Sequence, residues 1–533
     1  MELSPKKAAY KWVSENLLPL EILKDEEVID TGNFSVRPFP PEVAKRWLPF
    51  ARILLAPRTT PILTPFGKRV SENEAFSFAK KTIQAIPDEA LVQMELASLK
   101  DWEDDKKNGI PRAHFDPTMW MARLVACDPT YHPPEVSPNF KRHLPKSYPL
   151  GIRQVKIQNP RANIGFWDLK RWNDQRRSDS ANEEFHIKVF MDATRWEMKM
   201  SNKSRITPGS VVADTPPCAG FSRSQSGGRV IVAPPYEVSL HARRFLQAIQ
   251  KMIESAREVW YAVGDRLARY TQMHAVLDGQ IGERCVDGDD FIVMSGDGCV
   301  AGDSSGFDTG VTTRELLAWL NVFKSSVPGS LWSLYLATFY ATYEVELAGN
   351  IGMFKQKVRW GIRSGGAETH LADSVIQDNR IGSSDWSTLE SGLSDINQRG
   401  VYRPEKQFCF KEATTLAQLM VTKTNLGTGV SKPIFGFVSR MARNIREMES
   451  WTTQEDFLPV DLDARVLAQC ANLYGSPTWK PFVEWVRDRW SIRSSRQELL
   501  DRATSLLSKG RVEVASGFYE RDALWQTLKL LLG

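Results

Sequence analysis

The sequence predicts an α+β fold, with a small antiparallel sheet and helices that occupy separate parts of the chain. Three observations carry this. Cys285-Val286 and Phe291-Ile292-Val293-Met294 bracket Gly288-Asp289-Asp290, the pattern of a β-hairpin with a tight turn, and Cys299-Val300-Ala301 adds a short strand just after it. Thr312-Thr313-Arg314-Glu315 is a capping box, and apolar residues follow at helical spacing through Leu316, Leu317, Leu320 and Phe323. Residues 430–533 read as mostly helical. Strands in one stretch and helices in others make an α+β arrangement.

With 533 residues the chain is long enough for several domains or one large multi-part enzyme. Its 42% hydrophobic and 25% charged residues are ordinary for a globular protein, and a net charge of +5 implies no general affinity for polyanions. The six cysteines form no CxxC pair, which argues against a zinc site or a disulfide framework and for a reducing compartment. The histidines show no HExxH spacing. No apolar run approaches the roughly 18 residues of a membrane span. The first residues read as an amphipathic helix, not a signal peptide.

In chain order, residues 1–110 mix short helical patterns with proline-rich breaks such as Arg37-Pro38-Phe39-Pro40-Pro41, and residues 75–99 show helical periodicity interrupted at Pro87. No chemistry is legible there. The window 141–177 holds ten Lys or Arg against Asp168 and Asp174, interleaved with Tyr148, Phe166, Trp167 and Trp172. Basic groups neutralise phosphates and aromatic faces stack on unpaired bases; the same composition also suits a solvated basic face over core aromatics. Lys199, Lys203 and Arg205 read as a solvated face. A Gly- and Ser-rich loop then presents Arg223 and leads into a β-branched strand entered at Arg229, with Arg243 and Arg244 in a following helix. Guanidinium forks on a flexible loop suit a triphosphate; an ordinary exposed loop is the alternative.

The stretch 285–308 concentrates acid. Asp289 and Asp290 sit on the hairpin turn; Asp303 follows the next strand, and Asp308 comes after four intervening residues. Carboxylates crowded at neighbouring strand ends repel one another, and hard cations such as Mg²⁺ or Mn²⁺ relieve that repulsion. Two such ions about 3.5–4 Å apart are the apparatus for moving a phosphoryl or nucleotidyl group. Taken alone, Gly-Asp-Asp is commonly just a turn and the Asp303–Asp308 spacing a solvated loop.

Downstream, residues 331–346 read as a second helical block. Ser364-Gly365-Gly366 is a turn feeding a helix that begins near Ala367, with Thr369 and Asp373 on one face. Such a face could hold a nucleotide sugar or a template backbone, or could be local capping alone. Residues 398–406 read as a turn and a short exposed segment, in which only Lys406 carries potential chemistry. Asp461 opens one C-terminal helix; Ser495 and Glu498 cap another that stops at Lys509-Gly510.

Together these pieces resemble the motifs of a viral RNA-dependent RNA polymerase over roughly residues 220–425. Asp303 with Asp308 resembles motif A. Ser364-Gly365 with Thr369 and Asp373-Ser374 resembles motif B, SGxxxTxxxNS. Gly288-Asp289-Asp290 resembles motif C, Gly400 to Lys406 motif D, and Arg229-Val230-Ile231-Val232 with Arg243 motif F. No Gly-Asp-Asp or similar element follows residue 374, so motif C precedes A and B. That order is the mark of the permuted polymerases of permutotetraviruses and birnaviruses, and Gly-Asp-Asp is nearer the former. The family's motif B has Asn, which helps select the ribose 2′-hydroxyl, where this chain has Asp373; Asp can still accept a hydrogen bond from that hydroxyl.

The resemblance implies a right-hand polymerase of fingers, palm and helical thumb. It divides the chain into an N-terminal extension touching the fingers (1–110), fingers (111–280), palm (281–310), fingers and palm helices (311–350), palm (351–425) and thumb (426–533). Asp289, Asp290 and Asp303 would ligate two Mg²⁺ or Mn²⁺ ions. Arg223 and Arg229 would hold the triphosphate. Asp308, Ser364, Gly365, Thr369 and Asp373 would read the ribose and position the template, and Lys406 would protonate pyrophosphate. The implied partners are RNA, nucleoside triphosphates and viral capsid or replication proteins, in host cytoplasm or virion. A reverse transcriptase shares the palm, and an RNA-binding replication or capsid-associated protein could keep a degenerate one.

Overall fold

The structure is a computed structural model. It describes residues 29–30, 34–38, 70–107, 147–157, 197–203, 229–233, 236–255, 266–304, 307–332, 335, 339, 346–348, 352–356, 362, 366–399, 402, 407–447, 459–508, 512, 514–515 and 519–533. The N-terminal amphipathic helix, most of the basic window 141–177, Arg223, Ser364, Gly365 and Lys406 lie outside them.

Residues 75–99 become two helices, α1 (Glu72–Gln84) and α2 (Glu89–Lys107), which flank Pro87. Each starts on a local cap: the Ser71 hydroxyl accepts the Glu74 N–H at 3.1 Å, and the Asp88 carboxylate accepts that of Leu91 at 3.0 Å.

One sheet gathers strands from distant segments. These are β1 (Ile29–Asp30), β2 (Phe34–Pro38), β3 (Glu197–Lys203), β4 (Arg229–Ala233), and, much later in the chain, Glu346–Ala348 and Gly352–Gln356. Arg229 pairs with Lys203 at the end of the β3–β4 ladder. Helices α3 (Tyr236–Ser255) and α4 (Arg266–Leu277) follow β4.

The predicted hairpin and strand form a meander of β5 (Arg284–Asp287), β6 (Asp290–Ser295) and β7 (Gly298–Asp303). Gly288 takes φ +67° as first residue of the two-residue turn and Asp289 does not, the pattern of a type II′ turn. Across β6–β7, Phe291 lies opposite Gly302, where a Cβ would come within 2.5 Å of the Phe291 ring, so only glycine admits it. Both faces of this sheet are covered. Val286, Phe291, Val293 and Val300 pack with Trp319, Phe323, Leu371 and Val375 on one side. Cys285, Ile292, Cys299 and Ala301 pack with Met273, Leu277, Leu416 and Val421 on the other. Two-sided burial accounts for the continuous apolar run 291–294.

After the meander come α5 (Phe307–Gly310) and α6 (Thr313–Ser326), the latter opened by the predicted capping box. Within 331–346, residues 332, 335 and 339 are helical or flank helical turns, but Glu346 opens strand β8 (Glu346–Ala348), antiparallel to β9 (Gly352–Gln356). Its helical spacing is overridden by pairing with the first sheet. The predicted helix after the glycine turn is α7 (Thr369–Gly382), followed by α8 (Leu389–Arg399). Tyr402 corrects the reading of 398–406 as exposed: it is 5% exposed and bridges to Ser304, because its ring packs edge-on against Phe291 at 5.8 Å.

Strand β10 (Phe408–Phe410) completes the second sheet beside β7, in the order β10-β7-β6-β5. A third sheet joins β11 (Ala413–Leu416), β12 (Leu419–Thr422) and β13 (Ile434–Gly436). The C-terminal body holds α9 (Val438–Glu447), α10 (Pro459–Ala471), α11 (Trp479–Arg487), α12 (Arg496–Ser508) and α13 (Glu520–Leu532). Helices α1 and α2 share its core. Glu95 of α2, 1% exposed, caps α9 by accepting the Ser439 N–H at 3.3 Å and hydroxyl at 3.0 Å. Among the described residues no helix is long and apolar enough to cross a membrane.

Candidate active site

The acidic stretch folds so that two of its aspartates become cross-strand neighbours. Asp290 pairs directly with Asp303 across β6–β7, and residues so opposed send side chains to the same face. Asp289 occupies the turn beside them, and its carbonyl accepts the Ser304 N–H at 3.2 Å, tying the turn to the end of β7. All three aspartates are half-buried.

One face of α7 grips this turn. The Ser374 hydroxyl accepts the Gly288 N–H at 2.9 Å and donates to the His370 carbonyl at 2.7 Å. Gln377 donates through Nε2 to the Asp289 carbonyl at 3.1 Å, while its Oε1 accepts the Tyr402 hydroxyl at 3.1 Å. Positions 370, 374 and 377 fall at the four- and three-residue spacing of one helix face. Asp287, 7% exposed, lies at the base of the turn between Arg269 at 2.6 Å and Nε2 of His370 at 2.5 Å. The guanidinium and the imidazole around one buried carboxylate offset its desolvation.

Thr369 and Asp373 share the same helix. Thr369 is half-buried and donates to the Gly366 carbonyl at 3.1 Å, and Asp373 is 6% exposed. Asp308 lies in α5, directly after β7. Phe307 and Gly310 of that helix are held by Arg380 from α7: its guanidinium stands 4.7 Å over the Phe307 ring and donates to the Gly310 carbonyl at 3.4 Å. Arg380 also forms a fork with Glu315 at 2.8 and 3.0 Å. Glu368, the residue before α7, is 3% exposed, and burial beside Tyr335 pushes its carboxyl up to about 7.

Of the sequence-predicted residues, the structure sets Asp290 opposite Asp303, ties the Asp289 carbonyl to Ser304, and places Thr369 and Asp373 on the helix that holds this turn. Arg229 stands on the separate six-stranded sheet. Among the described residues no group of three or more His, Cys, Asp or Glu is arranged as a ready-made metal cage. The donor set still fits a hard cation, since Mg²⁺ is held by one or two carboxylates, waters and substrate phosphates in preference to an all-protein cage. The residues that sequence reasoning missed are Asp287, His370, Gln377, Tyr402 and the Arg380–Glu315 pair. The signal available for His370 and Gln377 was their spacing with Ser374 inside the motif already singled out.

No family model matches the sequence, and no curated protein does. Solved structures do match. The RNA-dependent RNA polymerase of a human picorbirnavirus superposes with a TM-score of 0.60 at 12% identity, covering 93% of this chain and 99% of that one. An insertion-loop deletion mutant of the RNA-dependent RNA polymerase of a human picorbirnavirus gives 0.61 at 12% identity and the same coverage of 93% and 99%. At that identity the likeness is one of architecture, and the fold of this chain is that of the viral RNA-dependent RNA polymerases.

Proposed function

We propose that this protein synthesises RNA on an RNA template by nucleotidyl transfer, with its metal-binding turn placed ahead of the other motifs in the chain. The observation that carries the reading is the register of Asp290 against Asp303, with Asp289 on the adjoining turn, within a viral polymerase fold. Asp289, Asp290 and Asp303 would hold Mg²⁺ or Mn²⁺. Bound there, a pair of ions lowers the pKa of the primer 3′-hydroxyl and neutralises charge on the leaving pyrophosphate. Arg229 and Arg223 would bind the triphosphate through guanidinium forks. Asp308, Ser364, Gly365, Thr369 and Asp373 would read the ribose and seat the template, and Lys406 would deliver a proton to pyrophosphate. The α7 side chains that hold Gly288 and Asp289 would fix the turn before substrate arrives, so that little reorganisation is left to the reaction.

The test is extension of a primed RNA template by labelled ribonucleotides with Mg²⁺ or Mn²⁺, beside Asp289→Ala and Asp303→Ala. Losing several kcal/mol of charge stabilisation at about 1.4 kcal/mol per decade predicts a fall of about a thousandfold or more. Full activity in either variant would refute the assignment. Extension with deoxynucleotides in place of ribonucleotides would make the enzyme a reverse transcriptase, and RNA binding with no metal-dependent incorporation would make it a binding protein.

A further inference from the structure

We infer that Arg380 and Glu315 form the positioning pair that sets the Asp308 segment against the nucleotide sugar. The inference rests on the polymerase reading and deepens it. In that reading the ribose is read from two sides, by Asp308 on α5 and by Thr369 and Asp373 on α7. Two elements remote in sequence can judge one hydroxyl only if their spacing is fixed. In most protein cores such spacing comes from apolar packing, but here a buried charge fixes it.

Arg380 lies on the α7 helix that carries Thr369 and Asp373. From there it reaches both ends of the Asp308 segment: its guanidinium covers the Phe307 ring at 4.7 Å and donates to the Gly310 carbonyl at 3.4 Å. Its Nε and Nη2 also donate to Glu315, at 2.8 and 3.0 Å. Glu315 in turn accepts the Thr312 N–H at 2.9 Å, so it also fixes the first turn of α6, just past Gly310. The side chains of Arg380 and Glu315 are 3% and 4% exposed. A pair so buried is held tightly in one geometry, because separating the charges would leave each unpaired in a poorly polarisable interior. The planar fork matters: a lysine has a single charged centre and could not cover the ring while bridging Glu315 and Gly310.

The consequence is specificity. A site that hydrogen-bonds a substrate hydroxyl rejects the analogue lacking it, but only while the bonding groups stay in place. Loosening the α5–α7 clamp should cost more with ribonucleotides, which use the hydroxyl contacts, than with deoxynucleotides, which do not.

The experiment compares the wild type with Arg380→Lys and with the double variant Glu315→Gln, Arg380→Met. The double variant removes both charges together and leaves no lone charge buried. The glutamine it introduces keeps a carbonyl oxygen that can accept the Thr312 N–H. For each protein we would measure kcat/KM for a ribonucleotide and its deoxy analogue on one primed template, with melting temperature and RNA affinity as checks. The expected result is a fall of roughly ten- to hundredfold in the ribo/deoxy ratio for the double variant, the size that a small misplacement produces. Arg380→Lys should fall between it and the wild type, and melting temperature and RNA affinity should stay near wild type. An unchanged ratio in a folded, RNA-binding double variant overturns the inference and leaves the polymerase reading standing. A parallel loss for both nucleotides also overturns it, since that is a structural effect. A wild type that incorporates neither nucleotide overturns the polymerase reading and the inference with it.

Discussion

Helices α7 and α10 are nearly equal in length and both are buried almost all round, but by different means. In α10 the buried positions are mostly Leu462, Ala464, Val466, Leu467, Ala468, Cys470 and Ala471, packed among the helices of the C-terminal body. Its buried acids, Asp461 and Asp463, stay at the helix start, where they meet Arg502 and the N–H groups of Arg493 and Ser494. In α7 every residue from 371 to 381 is buried, and Asp373, Ser374, Gln377, Asp378, Asn379 and Arg380 are among them. Asp378 pairs with Arg284 at 2.6 Å, Arg380 with Glu315, and Ser374 and Gln377 with the backbone of the acidic turn. The body is held by shape and by apolar area removed from water. Helix α7 is held by hydrogen bonds that are costly to leave unmade, and this makes its geometry specific. Of these two helices, the one beside the acidic turn carries the larger share of buried polar side chains.

Substitutions can break that contrast. Leu467→Ala in α10 should cost about 2–5 kcal/mol in stability, read as a lower denaturant midpoint, with incorporation per folded molecule unchanged. A proportionate loss of activity in the folded fraction would mean that the body is not merely a packing unit. Gln377→Leu in α7 should cost less, about 1–3 kcal/mol, because it strips a partner from the Asp289 carbonyl and from the Tyr402 hydroxyl. Its main effect should be on the turn, seen as weaker Mn²⁺ binding by electron paramagnetic resonance. Wild-type Mn²⁺ affinity in this variant would separate the turn's conformation from metal binding.

The smallest effect is a dependence on pH. Burial pushes Glu95 in the body and Glu368 just before α7 each from 4.5 up to about 7. The folded state then holds these protons more tightly than the unfolded state. Their stabilising contribution is complete below about pH 4.5 and is lost as the pH rises to about 7. Glu95 has donors from Val438 and Ser439 to steady its charged form, whereas Oε1 of Glu368 meets no hydrogen-bond donor among the described residues. Glu368→Gln should therefore flatten the fall in melting temperature between pH 5 and pH 8 and leave a residual slope from Glu95. An unaltered slope would place the titrating group elsewhere.

Much of this was legible in the sequence because it is local. The hairpin with its positive-φ glycine, the break at Pro87, the Thr312–Glu315 capping box and the cap at Ser495 are all decided within a few residues. So was the nearness of Asp290 to Asp303, since adjacent strands of a meander carry them. The remainder depended on partners far along the chain. Glu346 looked helical until a distant sheet claimed it, and Tyr402 looked exposed until Phe291 and Gln377 covered it. Arg380 gave no sign of its role, because a buried arginine is recognised only once its carboxylate is known.

The order of the meander also governs how the acidic centre comes into being. Strands β5, β6 and β7 are joined by two-residue turns, so Asp290 and Asp303 find each other at the small entropic cost of closing short loops. Their register is defined by short turns alone, although both faces of the meander are covered by later elements. The slow, long-range search falls instead to β10, which must cross every element between α5 and α8 to reach Cys299–Ala301. The Asp290–Asp303 register is thus encoded by near neighbours in the chain, and the later elements α7 and β10 fix and flank it.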